Sequence, residues 1–252
     1  MSAETADDVA RRLRALIHAQ DLQPGEKLGS ERALAESFGI SRALLRLALA
    51  KLEESHEIVR KIGRGGGIVI SDGKLERSLN TVESLTQIAR RQGWKLTSTV
   101  LSAALSTASE SDRRLLALPQ ERPMIYAITR LRMLNGTPLS VEVTHLPAYR
   151  FTNFLDLDLT TSFYGHFECE YGIRPKFVDE TLDYTTADAR QAELLDIAPG
   201  GALLRIRRVA ADASGVPCER AVDTYLAERM RFTMHHSGFV RLSATRDDGR
   251  GE

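Results

Sequence analysis

The 252-residue sequence predicts an α+β fold in two parts: a small N-terminal unit of three helices closed by a hairpin, and a larger C-terminal unit built on an antiparallel sheet with helices. Three observations predict it. Apolar residues recur at helical spacing between capping residues over 9–52. Two short apolar runs flank a glycine cluster over 58–70. From about residue 86 the texture changes to alternating strands with hairpin turns at Asn135-Gly136 and Ser214-Gly215.

Val9, Leu13, Leu16 and Ile17 fall at i, i+4, i+7 and i+8, one apolar helix face, and Thr5 with Asp8 three residues on is its start signal. Gln23-Pro24-Gly25 is a turn. Ser30 caps a second helix carrying Leu34, Ala35 and Phe38, which Gly39 ends. Ser41 caps a third, with Leu45, Ala48, Leu49 and Leu52 on its buried side. Strands at 58–62 and 68–70 then enclose a tight loop. Three helices plus a hairpin is the order of a winged helix-turn-helix.

In the second unit, strands 125–134 and 139–146 alternate around Asn135-Gly136, a dipeptide suited to tight hairpins. Strands 203–211 and 216–226 turn at Ser214-Gly215. Helical patterns lie at 109–116, at 161–171 ending on Gly172, and at 185–195, where Thr185 and Asp188 form a capping box. Asn135-Gly136-Thr137-Pro138 recurs 79 residues later as Ser214-Gly215-Val216-Pro217, each copy after a helix ending in Leu115-Leu116 or Leu194-Leu195. A duplicated helix–hairpin unit would build one antiparallel sheet with helices on a face; two unrelated hairpins remain the alternative. The domains are read as 1–72, a polar linker at 73–85, 86–240, and a polar tail at 241–252.

Apolar residues make up 42% of the chain, and no apolar run approaches the ~20 residues that span a bilayer. Residues 1–8 lack the basic and apolar regions of a signal peptide, so the cytoplasm is the expected compartment. Cys169 and Cys218 lack Cys-x-x-Cys spacing and are expected as reduced, buried thiols. His145, His166, His235 and His236 show no metal-ligand spacing, the last two reading as a polar surface pair. Neither metal nor cofactor is expected, and no nucleophile–base pair marks an enzyme. With 34 basic and 34 acidic residues, formal net charge is zero, so any affinity for nucleic acid must come from a local patch. Residues 27–64 hold a mild basic excess.

Arg42 and Arg46, four apart, share the face of the third helix opposite Leu45, Leu49 and Leu52. Such a helix suits a DNA major groove, where arginine grips phosphate or reads guanine bidentately. Arg32 can clamp the backbone alongside, and Ser30 and Ser41 put hydroxyls and helix N-termini where phosphates would lie. Two arginines on a helix face are by themselves compatible with a solvated surface. It is the whole order (turn, helix, Gly39, capped basic helix, basic hairpin) that points to DNA. The hairpin tip, Arg60-Lys61-Ile62-Gly63-Arg64-Gly65-Gly66-Gly67, allows close backbone approach, and Arg64 can enter a minor groove. It lacks the Gly-Lys-Ser/Thr ending and following helix of a phosphate-cradling loop.

These residues resemble the DNA-binding domain of the GntR family of bacterial regulators over 9–70. The matching words are Leu22-Gln23-Pro24-Gly25-Glu26-Lys27-Leu28, Ser30-Glu31-Arg32-Ala33-Leu34-Ala35, Gly39-Ile40-Ser41-Arg42 and Arg46-Leu47-Ala48-Leu49-Ala50-Lys51-Leu52. The resemblance implies that Arg32, Arg42, Arg46, Gly63 and Gly65 lie on operator DNA; with Ser41 and Arg64 they form the candidate DNA-binding set. Four departures stand out. Gly29 replaces a usual Pro, Leu44-Leu45 a usual Thr-Val, His56 a usual Gly, and the wing carries an extra Gly.

Arg130 and Arg132, two apart on a strand, point to one face and can hold a phosphate or carboxylate, although an exposed strand face with ordinary ion pairs stays open. Register decides whether Glu142 joins them. A two-residue Asn-Gly loop pairs Arg130 with Val141 and leaves Glu142 on the opposite face; one extra residue, a bulge, pairs Arg130 with Glu142. The bulge is the expectation. Glu219 and Tyr225 share a parity and therefore a face. Two carboxylates, two guanidiniums and a phenol suit a ligand with one anionic end and several hydroxyls or an amine.

Residues 86 to about 234 resemble the effector-binding domain of HutC-type GntR regulators, called UTRA, whose fold is like chorismate lyase. The carrying words are Arg130-Leu131-Arg132, Asn135-Gly136-Thr137-Pro138, Glu142, Ser162-Phe163-Tyr164, Leu203-Leu204-Arg205-Ile206-Arg207-Arg208 and 219–225. The resemblance implies an effector site of Thr86, Arg130, Arg132, Glu142, Ser162, Tyr164, Glu219 and Tyr225. A phosphorylated sugar or amino sugar leads as the ligand, and a carboxylate such as urocanate is the alternative. It implies a homodimeric repressor, bound to a palindromic operator through two recognition helices and released by its effector. The rivals are a chorismate lyase-like enzyme and a GntR regulator with an all-helical sensor.

Overall fold

The computed structural model describes residues 4–61 and 67–235. The first helix, α1 (Ala6–Ala19), starts at the Thr5–Asp8 capping box. After β1 (Lys27–Gly29), α2 (Glu31–Phe38) is capped by Ser30 and closed by left-handed Gly39, and α3 (Arg42–Glu54) is capped by Ser41. Strands β2 (Ile58–Lys61) and β3 (Gly67–Ile70) follow, and the sheet order is β1-β3-β2. Val9, Leu13, Leu45, Leu49, Leu52 and Ile58 form the core of this winged helix-turn-helix. Strand β1 escaped the sequence reading because three residues carry no readable alternation.

Two departures from the family pattern have a structural basis. Gly29 holds φ of 149°, which the fixed φ of proline near −65° cannot reach. His56 sits at φ 57°, a left-handed position that glycine tolerates best, and its ring stacks on Trp94 at a centroid distance of 4.2 Å. The side chain thus touches the C-terminal domain where a glycine would reach nothing.

That domain contains β4 (Leu75–Ser78), α4 (Leu85–Arg91), β5 (Leu96–Thr107), α5 (Glu110–Leu115), β6 (Met124–Leu134), β7 (Thr137–Pro147), a 3-10 turn at Phe154–Asp156, α6 (Phe163–Tyr171), β8 (Phe177–Thr186), α7 (Ala189–Leu195), β9 (Ala202–Ala211), β10 (Pro217–Leu226) and β11 (Met230–Thr233). Six strands form one antiparallel sheet in the order β5-β6-β7-β10-β9-β8. The internal echo is realised here. The runs β5-α5-β6-β7 and β8-α7-β9-β10 enter from opposite edges and meet at the central β7–β10 pair. Each run carries a bulge at the same place, the extra residue being Leu139 in β7 and Cys218 in β10, 79 residues apart.

The structure corrects several expectations. Edge strands β5 and β8 were not anticipated: most of their residues remain exposed, so neither shows a clean buried face. The helix expected from Thr185 starts later, because Thr185 and Thr186 belong to β8 and Asp188 is itself the cap, boxed with Gln191. Likewise α6 starts after Ser162 rather than at Thr161. The polar segment 73–85 contains β4, which pairs in parallel with β11 and buries Leu75 completely; a partner some 155 residues downstream leaves no local signal. Cys218 is buried, but Cys169 is exposed on α6. His235 is exposed, whereas His236 and the tail 241–252 lie outside the described residues. No helix among the described residues is long and apolar enough to cross a membrane.

An aromatic cluster seats α6 against the sheet. Phe151, Phe154 and Phe167 are fully buried, and Phe154 also meets Tyr126 and, edge-on, Phe163. Phe154→Ala should lower the unfolding free energy by about 3–5 kcal/mol, read by urea denaturation; a loss under about 1 kcal/mol would show that the cluster does not anchor the helix.

Candidate DNA-binding and effector sites

Helix α3 presents Arg42 and Arg46 outward, with side chains 60% and 57% exposed. Both reach Glu31 at the start of α2, Arg46 Nε at 2.8 Å and Arg42 at 3.9 Å, and Arg60 of β2 reaches the same carboxylate at 3.5 Å. The Arg46 hydrogen bond outweighs desolvation and holds Glu31 below the usual carboxylate range. One acidic side chain therefore gathers three guanidiniums without burying them. Leu47, 61% exposed beside Arg46, adds an apolar side chain suited to a thymine methyl. Arg32 is exposed on α2, and the Ser41 hydroxyl is engaged as cap by Leu44 N–H. Gly63, Arg64 and Gly65 lie outside the described residues. Sequence reasoning missed Glu31 and Leu47 as parts of this face, visible only as words of the motif, and read Arg60 as part of the basic hairpin without its tie to Glu31.

In the second domain the expected register is found by an unexpected route. The Asn135-Gly136 turn is a true two-residue loop with both residues at positive φ, and the extra residue sits inside β7 at Leu139. Arg130 consequently lies opposite Glu142, which lies opposite Asp223 of β10. Glu142 takes both guanidiniums, from Arg130 Nε at 2.9 Å on Oε1 and from Arg132 Nη1 at 2.5 Å on Oε2. Arg130 Nη1 donates to the carbonyls of Leu159 and Thr161 at 3.0 and 2.8 Å, and the group lies 3.5 Å over the Phe163 ring. Arg132 Nη2 donates to Thr86 Oγ1 at 3.2 Å. Thr86 is in the first turn of α4 and Ser162 caps α6, so two helix N-termini face the guanidinium pair. Burial works to raise Glu142, but Arg130 and Arg132 outweigh it and hold the carboxyl at about 2.

Across the cavity, Glu219 accepts from the Tyr164 hydroxyl and from Arg208 Nε, both at 3.0 Å. Arg208 also lies 3.5 Å from Asp223, and Arg77 of β4 pairs with Glu180 of β8. Burial, with Glu142 and Glu219 near, lifts the Asp223 carboxyl to about 6 against the pull of Arg208. All eight sequence-predicted effector residues line this one cavity. Its volume is about 30 Å³, room for about one or two waters, and it shares Arg77, Glu83, Tyr164 and Arg208 with an outer cleft of about 610 Å³. Arg77, Arg208 and Asp223 were missed. Asp223 has the parity of Glu219 and Tyr225 and was legible in principle. Arg77 lies in the segment read as linker.

Among the described residues no three His, Cys, Asp or Glu cluster as metal ligands. Residues 5–68 match the bacterial regulatory proteins of the gntR family, and residues 91–231 match the UTRA domain. The chain belongs to the GntR family, in its UTRA-containing branch.

This GntR regulator is 29% identical over 224 residues to the HTH-type transcriptional repressor NagR of Bacillus subtilis, covering 89% of this chain and 91% of that one. It is 28% identical over 210 residues to the repressor PhnF of Mycolicibacterium smegmatis, covering 83% and 84%. A relative from Escherichia coli, named for a fructoselysine utilization operon, is 24% identical over 196 residues, covering 77% and 79%. The crystal structure of PhnF from Mycobacterium smegmatis superposes with a TM-score of 0.65 at 24% identity, covering 94% of this chain and 100% of that one, which shows the fold. GntR members are transcription regulators, and the enzyme and all-helical-sensor readings are set aside.

Arg42→Ala and Arg46→Ala should each weaken binding to a duplex selected from random DNA, and each lost phosphate contact should reduce the slope of log K against log salt by about 1. Unchanged affinity for both variants would remove α3 from the interface. A second expectation concerns Asp223. Its folded-state value lies above the ordinary 3.8, so the native chain holds this proton more tightly than the unfolded one and loses stability as pH rises from about 4 to about 6. Asp223→Asn removes that dependence. The Tm difference between variant and parent should move in the variant's favour over that range and level off above pH 7; a constant difference would contradict the assignment.

Proposed function

We propose that this GntR regulator is a homodimeric repressor whose UTRA domain binds a phosphorylated sugar, and that binding releases a palindromic operator. The observation that carries the reading is the guanidinium pair of Arg130 and Arg132 on one carboxylate, faced by the first turn of α4 and the Ser162 cap of α6. A phosphate dianion is suited to those donors and to both helix ends. The remaining wall, with Tyr164, Glu219 and Tyr225, offers a carboxylate and two phenols for hydroxyls. The relative named for fructoselysine utilization supports a sugar-derived ligand.

Release requires that the effector bind the DNA-incompetent arrangement more tightly. A coupling of about 1–3 kcal/mol corresponds to roughly 5–150-fold weaker operator binding. The 30 Å³ cavity is far below the ~300 Å³ or more of typical ligand pockets, so a bound sugar phosphate would have to widen it toward the outer cleft that shares Arg77, Glu83, Tyr164 and Arg208. Effector contacts made only in the widened arrangement would supply the differential affinity that release requires.

The test is fluorescence anisotropy of a selected operator duplex titrated with hexose 6-phosphates, the parent sugars and urocanate. Hexose 6-phosphates should release the duplex at least about 5-fold more easily, while the parent sugars do nothing. Arg132→Ala should bind DNA normally yet fail to respond. If no phosphorylated sugar shifts operator affinity, the reading fails; if urocanate alone does, the carboxylate alternative replaces it.

A further inference from the structure

Among the described residues, five buried side-chain polar atoms lack a hydrogen-bond partner. Three of them, Arg77 Nη1, Arg132 Nε and Asp223 Oδ1, belong to side chains that line the single cavity described above. Buried polar groups are nearly always paired, so three orphans in one cavity mark atoms held ready for something other than the protein. The Arg77 and Asp223 side chains are only 5% and 2% exposed. Arg132 belongs to the anion-binding half. The other two lie beyond it, on β4 and β10; Asp223 stands inside the word 219–225 without an assigned role, and Arg77 lies in none of the family words.

We propose that Arg77 and Asp223 form a second subsite of the effector pocket, which takes the hydroxyl-bearing end of a sugar phosphate whose phosphate sits at Arg130 and Arg132. The inference rests on the effector-pocket reading and names what its far wall recognises. The chemistry follows from which atoms are orphaned. Arg77 offers a donor and Asp223 offers an acceptor, so the complement must both accept and donate, as adjacent hydroxyls do. A second anionic group is disfavoured, because Glu180, Glu219 and Asp223 together face only Arg77 and Arg208 here. An ammonium would satisfy Asp223 but leave the Arg77 donor opposed by a cation. Register holds the geometry: Asp223 pairs across the sheet with Glu142, and Glu142 with Arg130, so the two subsites share one face two strands apart.

Calorimetry with the full chain separates the possibilities, using glucose 6-phosphate, glucosamine 6-phosphate and inorganic phosphate as probes. Asp223→Asn and Arg77→Gln should each weaken both hexose phosphates by about 10-fold while leaving inorganic phosphate within about 2-fold, which also shows that the variants are folded. Arg132→Ala should weaken all three probes. Unchanged affinity for the hexose phosphates in both variants would overturn the proposal. So would equal loss of inorganic phosphate, which would place these residues in the anion site or in the fold, and so would loss confined to glucosamine 6-phosphate, which would assign Asp223 to an ammonium. Failure of the parent protein to bind any probe would remove the effector-pocket reading itself, and this inference with it.

Discussion

A carboxylate buried between two guanidiniums, Glu142 with Arg130 and Arg132, is the constraint around which the C-terminal domain is arranged. Ions taken out of water require close partners and further hydrogen bonds, or the fold is destabilised by several kcal/mol. Here the partners come from every side: carbonyls at Leu159 and Thr161, the Phe163 ring, and the Thr86 hydroxyl. The loop ahead of α6 and the start of α4 are thereby tied to the centre of the sheet. One carboxylate against two cations leaves that half of the cavity electropositive, while Glu180, Glu219 and Asp223 against Arg77 and Arg208 make the other half slightly acidic. The cavity is polarised along its length, which fits a ligand charged at one end and hydroxylated at the other.

The same cavity is close in sequence to the DNA-binding unit. Strand β4, which brings Arg77 to the cavity wall, begins five residues after β3 of the wing sheet ends, and it is clamped in parallel to β11. His56 on Trp94 makes a second contact between the domains. Any ligand that draws on Arg77 therefore acts on a strand joined directly to the winged unit, with little intervening chain to absorb the displacement.

How much the sequence told depended on how local the signal was. All three caps of the first domain, Thr5, Ser30 and Ser41, work through neighbours within three residues and were readable. The hairpins were readable because alternation and turn dipeptides are also local. The bulge was the expected solution, yet it stands at Leu139 rather than in the loop, since Asn135 and Gly136 close a tight two-residue turn on their own. Strands β4 and β11 depend on each other across most of the domain and left no trace. Edge strands β5 and β8 lack a buried face to betray them. In the cavity, residues matched by short family words were found, whereas Arg77 was hidden by a polar composition that reads as linker, and Asp223 by its place between two residues already chosen.

The paired bulges at Leu139 and Cys218 carry a further consequence. Side chains alternate with a period of two, so adding or deleting a single residue between Leu134 and Ser140 would swing Glu142 to the back of the sheet and strand both guanidiniums without their counter-ion. Odd changes of length are closed to this corner of the fold, and its repeat at the second hairpin closes them there too. New ligand preferences can then arise in this scaffold by exchanging side chains along strands of fixed phase, and where hairpin lengths diverge among such sensors they should differ by even numbers of residues.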